Sequence, residues 1–299
     1  MALRIIITGA GGQLGQVLLR ELGKAGHDVA AFTHATLDLT RRDEVLERVA
    51  KLKPDVIVNT AAFGVDASEE DPRKALEVNA FAVQTLADAA RRASAGLVQY
   101  SSDFVFDGET STPYTESARP NPRNVYGASK LLGECFAQNA PRHWVLRVES
   151  LFGNPEGKSS VDRMVADLKV GRGVKAFSDR TVSPSYMDDV AAATKRLLER
   201  NVASGIYHCV SSGFTTWYEL AVELKRVLGA SRASITSVSV DDMRGPVVRP
   251  KFCALSNEKL ANAGIELPSW QNALQRYLGA PRPVSGPMTP PVSGTRPRF

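Results

Sequence analysis

The chain has 299 residues, is 43% hydrophobic and carries a formal charge of +5. That length buries a full core in one large α/β domain or in one with a smaller appended lobe. Arg282, Arg296 and Arg298 lie in a terminal stretch without acidic residues, so the rest carries only about +2, too little for a nucleic-acid footprint.

In chain order, short β-branched runs alternate with longer helical patterns, the signature of βαβ units and a parallel sheet. Arg4–Thr8, Asp28–Phe32, Val56–Asn59, Leu97–Ser101 and Trp144–Arg147 read as buried strands. Gln13–Lys24, Arg41–Leu52, Pro72–Ala93 and Tyr126–Gln138 place apolar residues at helical spacing between them. Asp71 followed by Pro72 reads as an N-cap and first-turn proline. From about residue 160 the alternation loosens, and Val161–Lys169, Asp189–Glu199, Trp217–Leu228 and Ser256–Ala263 read as helices among short strands.

The expected fold is therefore α/β: a Rossmann-type doubly wound parallel sheet with a smaller C-terminal α/β substrate-binding lobe. We expect a dinucleotide-binding domain over 1–159, an interleaved lobe over 160–280 and a disordered tail over 281–299, where six prolines and two copies of Pro-Val-Ser-Gly fall. No apolar run approaches the roughly 20 residues needed to span a bilayer. The N-terminus enters a strand-like segment without a charged and apolar leader, so no membrane partner and a cytoplasmic location are expected. Cys135, Cys209 and Cys253 are far apart and read as reduced structural thiols. The four histidines are equally scattered, so neither a metal site nor a Ser-His-Asp triad is expected.

The first motif is Thr8-Gly9-Ala10-Gly11-Gly12-Gln13-Leu14-Gly15, between the first strand and the first helix. Gly9, Gly12 and Gly15 have the spacing that lets a tight turn bring backbone amides against a pyrophosphate at a helix N-terminus. A plain turn is the alternative, but the position after a strand and before a helix favours a dinucleotide. The second strand runs out through Phe32, Thr33 and His34 without the acid that would grip a ribose 2′-hydroxyl. Nothing there repels a 2′-phosphate, so NADPH is the expected cofactor, with NADH left open. Asp38, in Leu37-Asp38-Leu39-Thr40, either meets the adenosine half or only starts the next helix.

The second constellation is Tyr126-Gly127-Ala128-Ser129-Lys130, with Ser101-Ser102-Asp103 ending the fourth strand. A separation of four puts phenol and ammonium on one helix face, one turn apart. A cation about 4 Å from the phenol, at an effective dielectric near 20, contributes roughly 4 kcal/mol, which alone would bring the phenol near pH 7. Tyr126 would then protonate a carbonyl oxygen as hydride reaches its carbon, while Ser102 hydrogen bonds to that oxygen. Tyr-x-x-x-Lys pairs are common on ordinary helices, and the weight here comes from the conjunction with the glycine loop and the strand-end serine.

Together these residues resemble the extended short-chain dehydrogenase/reductase family, and within it the dTDP-4-dehydrorhamnose reductases. The resemblance runs from Arg4 to about Leu278 and includes the run Pro54 to Ala62, the Val65-Asp66 pair, Ser101 to Phe106, Asn124 to Lys130, Ser183-Pro184-Ser185, Gly205 to His208 and Leu267-Pro268-Ser269-Trp270. It implies that Gly12, Gln13 and Leu14 contact the pyrophosphate, Asp38 and Leu39 the adenosine, and Ala61, Ala62 and Phe63 the ribose and phosphates. Ser102, Tyr126 and Lys130 would be the catalytic triad, with Tyr126 and Lys130 also touching the cofactor, and Ser102 and Asp103 would meet the substrate. The family often carries tryptophan in an Arg-Thr-Ser-Trp-Val-Tyr run beside the sugar. Here that run is Arg147-Val148-Glu149-Ser150-Leu151-Phe152, which puts Ser150 where an aromatic wall is expected. Trp217 reads as core packing.

The implied activity is NAD(P)H-dependent reduction of the 4-keto group of a deoxy sugar on a nucleoside diphosphate, by an enzyme whose relatives are often homodimers. Sugar-nucleotide epimerases and dehydratases share the triad but cycle a tightly held cofactor. Regulatory subunits such as the methionine adenosyltransferase β subunit keep the fold and act through a partner; a complete triad argues against that role.

Overall fold

Alternate residues of a strand face opposite sides of its sheet, so a strand apolar at every position must be covered on both faces. The computed structural model describes residues 1–154, 157–200, 202–242, 245 and 247–279. Its first half comprises β1 (Arg4–Thr8), α1 (Gln13–Lys24), β2 (Asp28–Phe32), α2 (Arg42–Leu52), β3 (Val56–Asn59), α3 (Val65–Glu70), α4 (Pro72–Leu76), α5 (Ala82–Ala93), β4 (Gly96–Ser102), α6 (Val125–Ala137) and β5 (Arg142–Val148). There follow β6 (Leu151–Phe152), α7 (Ser160–Lys169), β7 (Val174–Phe177), β8 (Thr181–Val182), β9 (Ser185–Tyr186), α8 (Met187–Glu199) and β10 (Gly205–His208). The last elements are β11 (Thr215–Thr216), α9 (Trp217–Leu228), β12 (Ile235–Val238), α10 (Glu258–Asn262) and α11 (Trp270–Gly279).

Six strands form one all-parallel sheet in the order β10-β5-β4-β3-β1-β2, a doubly wound Rossmann-like topology. Ile5, Ile7, Val56, Val58, Val98 and Leu146 point to one side, where they pack with Val17 and Leu18 of α1 and Val190 and Leu197 of α8. Ile6, Ile57, Leu97 and Val145 point to the other, against Val45 and Val49 of α2 and Val83 and Leu86 of α5. The chain reverses direction across the sheet between β1 and β3, and the crevice beyond their C-terminal ends is where such sheets bind ligands.

Several elements differ from the sequence expectation, the short helix α3 among them. The helix expected over Pro72–Ala93 is interrupted by a π turn at Glu77–Phe81, which points the buried Asn79 side chain at the Phe63 backbone. Strand β10 comes from the second half yet extends the main sheet by pairing with β5, and α11 follows Ser269 beyond the last helix expected. Asp71 does cap α4, accepting from Lys74 N at 2.9 Å ahead of Pro72.

A second core gathers α7, α9 and α11 around Val161, Leu168, Leu220, Leu224, Trp270 and Leu274, with Trp217 buried among them. Capping boxes at Ser159/Asp162 and Thr216/Glu219 start α7 and α9. Among the described residues no helix is long and apolar enough to cross a membrane. The proline-rich stretch 281–299 lies outside the described residues.

Candidate active site

The glycine loop leaves β1 in a left-handed turn at Gly9, φ 74°, closed by Gly12 N donating to Gly9 O at 2.9 Å. A Cβ on Gly9 would collide with the backbone of Thr60 and Ala61 after β3, and one on Gly15 would collide with Gly9 O and Ala10. The loop is thus pressed against the β3 end below and α1 behind, and the α1 amides open onto a cavity of about 660 Å³. Gly9, Gly12, Gln13, Asp38, Leu39, Ala61, Ala62 and Phe63 line it. Leu14 and Gly15 do not: the Leu14 side chain joins the core, and Gly15 is the contact that seats α1. Gly15→Ala is expected to weaken NADPH binding about tenfold to 100-fold in a fluorescence titration, because that seat must open by an overpacking cost of a few kcal/mol.

Sequence reading missed His34, Thr60, Lys74 and Val78 in this wall. His34 was visible at the strand end, but nothing local marks Lys74. Burial works to raise the Asp38 carboxyl, yet hydrogen bonds from Thr40 N and Oγ1 and the charges of His34 and Lys74 hold it low. Asp38 therefore lines the cavity and also closes its own turn; the cap position of α2 is Arg41.

A buried polar ladder crosses three strands toward the helix that carries Tyr126. Thr8 Oγ1 donates to Asn59 Oδ1 at 2.7 Å, Asn59 Nδ2 to Gln99 Oε1 at 2.7 Å, and Gln99 Nε2 to Tyr100 O at 2.7 Å. Lys130 Nζ donates to the same Tyr100 carbonyl at 2.6 Å. On the other side Asn79 bonds Phe63 N, Phe63 O and Ser129 Oγ, tying the cavity wall to α6. Helix α6 itself is capped by Asn124, whose Oδ1 accepts from Gly127 N at 2.8 Å. Gly127 and Gly133 have no room for a Cβ against Phe104 O and Asn79 O, which explains the glycine after Tyr126.

Ser102, Asp103, Tyr126 and Lys130 converge at the end of β4. Ser102 Oγ donates to Asp103 Oδ1 at 2.8 Å and accepts from Phe104 N at 3.2 Å, and the Tyr126 ring meets Phe104 edge-on at 5.6 Å. The expectation of a phenol near pH 7 is overturned. Burial, then the Asp103 charge, pushes Tyr126 up to about 12, with the Ser102 hydrogen bond as the one downward influence. Burial also lowers Lys130 to about 8, and its ammonium is engaged by Tyr100 O. The Coulomb argument from spacing set an upper bound that desolvation opposes, and burial outweighs it here, with Asp103 rather than Lys130 as the charge acting on Tyr126.

Ser150 is half-buried with a left-handed backbone, φ 43°, between β5 and β6. It lines neither the first cavity nor a second one of about 830 Å³ beside the α6 N-terminus, walled by Asp107, Arg123, Phe177, Val248, Arg249 and Lys251 among others. Arg249 pairs there with Asp66, and Asn124 Nδ2 donates to Val248 O at 2.9 Å. Behind Asp103 lie Glu149, Arg180 and Cys253, which sequence reasoning did not single out because three distant segments deliver them.

Residues 3–282 match the family described as the RmlD substrate binding domain. The chain belongs to that family. This RmlD-family chain is 34% identical over 285 residues to dTDP-4-dehydrorhamnose reductase of Mycolicibacterium smegmatis, covering 94% of this chain and 86% of that one. It is 35% identical over 277 residues to a probable dTDP-4,6-dihydroxy-2-methyloxan-3-one 4-ketoreductase of Streptomyces antibioticus, covering 91% and 94%. The crystal structure of dTDP-4-dehydrorhamnose reductase from Bacillus anthracis in complex with NADP superposes with a TM-score of 0.88 at 31% identity, covering 93% of this chain and 99% of that one.

Proposed function

We propose that this protein is a cytoplasmic reductase that converts the 4-keto group of a dTDP-linked deoxy sugar to a hydroxyl with NADPH. The convergence of Ser102, Tyr126 and Lys130 beside a glycine-lined cavity carries this reading. The cavity suits a dinucleotide: Gly9 leaves the backbone bare, the α1 amides face inward, Lys74 supplies positive charge for a 2′-phosphate, and His34 offers a ring nitrogen beside it. Gly12 and Gln13 would hold the pyrophosphate, Asp38 and Leu39 the adenosine, and Ala61 to Phe63 the ribose and phosphates. Bound there, NADPH supplies the hydride that reaches the carbonyl carbon.

In this reading Tyr126 gives its proton to the carbonyl oxygen, and Ser102 turns its single hydroxyl proton from Asp103 Oδ1, where it rests, to hydrogen bond that oxygen. A phenol at about 12 is fully protonated at neutral pH, which suits an acid acting in the direction of reduction. Lys130 fixes the floor of the site through Tyr100 O and binds the nicotinamide ribose. Asp103 acts on the sugar through Ser102, and Ser150, which lines neither cavity, is assigned no sugar contact. Arg123, Arg249 and Lys251 of the second cavity meet the diphosphate in exchange for their present carboxylate partners. Serine at 150 removes the one aromatic ring by which the resemblance would name the sugar, so the assignment stops at a 4-keto deoxyhexose. Incubation with NADPH and a dTDP-4-keto-6-deoxy sugar generated in place is expected to bleach the reduced nicotinamide absorbance and yield the hydroxyl sugar. Tight NADPH binding without any turnover on such sugars would overturn the reading in favour of a regulatory role.

A further inference from the structure

Each of two buried carboxyl groups near Ser102 has one oxygen satisfied and one without a partner. Asp103 Oδ1 accepts from Ser102, and Glu149 Oε2 accepts from Ser183 N at 2.7 Å. Asp103 Oδ2 and Glu149 Oε1 have no hydrogen-bond partner, although the residues are 4% and 2% exposed. A carboxylate oxygen of each, together with the Cys253 sulfur, lies within a sphere of mutual distances of 4.8 Å. Two like charges so placed in a dry site do not both persist, and a proton shared by the two carboxyl groups gives each a partner that it lacks.

We propose that Glu149 is a positioning residue that remains protonated at neutral pH, donating from Oε1 to Asp103 Oδ2 and so holding Asp103 as the acceptor that orients the Ser102 hydroxyl. The proposal deepens the reductase reading and rests on it for its catalytic consequence, while the shared proton itself does not depend on it. Burial raises both carboxyl groups, Glu149 furthest, and the Asp103 charge adds to the Glu149 shift. The groups facing the pair are few. Arg180 balances the single remaining negative charge, with Nε on Pro250 O at 3.2 Å and its guanidinium 5.6 Å from the Phe104 ring. Cys253 is a neutral thiol raised by burial that donates to Pro250 O. Tyr126 feels the Asp103 charge directly, and Lys130, at about 8, is the other group of the site that titrates near neutrality. The resident guanidinium also disfavours a metal ion among the same three donor atoms.

Glutamine mimics the protonated acid: its carbonyl accepts from Ser183 N and its amide donates to Asp103. Infrared spectra of the wild type near neutral pH should show a buried carboxylic-acid band, shifted by deuterium oxide, that Glu149→Gln removes; its absence from the wild type overturns the proposal. Because the folded protein keeps a proton that the unfolded chain releases above its ordinary carboxyl pKa, wild-type stability is full below that pKa and declines as pH rises. The wild-type melting temperature should therefore fall relative to Glu149→Gln by about 3 °C per pH unit through the neutral range. Parallel melting profiles would overturn the shared proton. In turnover assays the ratio of variant to wild-type kcat should climb about tenfold toward alkaline pH, where the wild-type pair loses its proton; a Lys130 limb cancels from that ratio. A constant ratio would leave Glu149 a structural group only, and a melting temperature raised by zinc or manganese alone would make the cluster a metal site instead.

Discussion

Tyr126→Phe is expected to lower kcat for keto-sugar reduction by about 10³-fold while leaving the NADPH dissociation constant within about twofold, since a positioned general acid contributes roughly 10² to 10⁴ in rate. The substitution removes one oxygen and keeps the ring that meets Phe104 at 5.6 Å, so packing is conserved. The phenol stands at about 12, so it adds no pH limb of its own to reduction below the alkaline range. The reverse oxidation needs the phenolate and should rise steeply with pH. Stopped-flow turnover in both directions, with a separate cofactor titration, measures all three quantities. Unchanged reduction in the variant would remove the phenol from the chemistry and shift the acid to Ser102 or solvent.

The glycine loop was legible because its chemistry is local. Gly9 needs a left-handed backbone and a close approach to Ala61, and a strand-glycine-helix order announces both. The Tyr126/Lys130 pair was equally legible as one helix face, but its electrostatics were not. The Tyr100 carbonyl that engages Lys130, and the Asp103 charge that raises Tyr126, come from β4 and the residue after it, 30 and 23 positions away. Strand β10 was missed for a similar reason: four residues acquire strand identity only from pairing with β5. The π turn at Glu77–Phe81 followed from no periodicity, since it serves Asn79, a tertiary hydrogen-bonding need. Glu149 stood in the very run in which a missing tryptophan drew notice to Ser150; its importance arises from Asp103 and Arg180, which only the folded chain brings near.

The largest stability effect is expected at Arg147, where a buried ion pair fixes the helix that carries Tyr126 and Lys130. Arg147 Nε and Nη2 bond Glu134 Oε1 and Oε2 at 2.8 and 2.7 Å, with both side chains 1% exposed. The guanidinium also lies 4.9 Å from the Phe106 ring and 3.4 Å from His208 Nε2. Burial, then the Arg147 charge, pushes His208 down to about 3, so the imidazole is neutral and Glu134 alone balances the arginine. Arg147→Met strips Glu134 of its bidentate partner in the core and leaves it only the Lys130 charge one turn away, which costs about 3 to 5 kcal/mol and lowers the melting temperature by roughly 10 °C. Removing both charges in Arg147→Met/Glu134→Leu should recover most of that loss, because the penalty belongs to the orphaned carboxylate rather than to the missing bond. Glu134 stands one turn beyond Lys130 on α6. If the pair also sets the register of that helix against β4, the stable double variant will still turn over more slowly than the wild type at saturating substrate. Full recovery of both stability and kcat would confine the pair to balancing its own charge and leave the placement of α6 to Gly127, Gly133 and the Asn79 contacts.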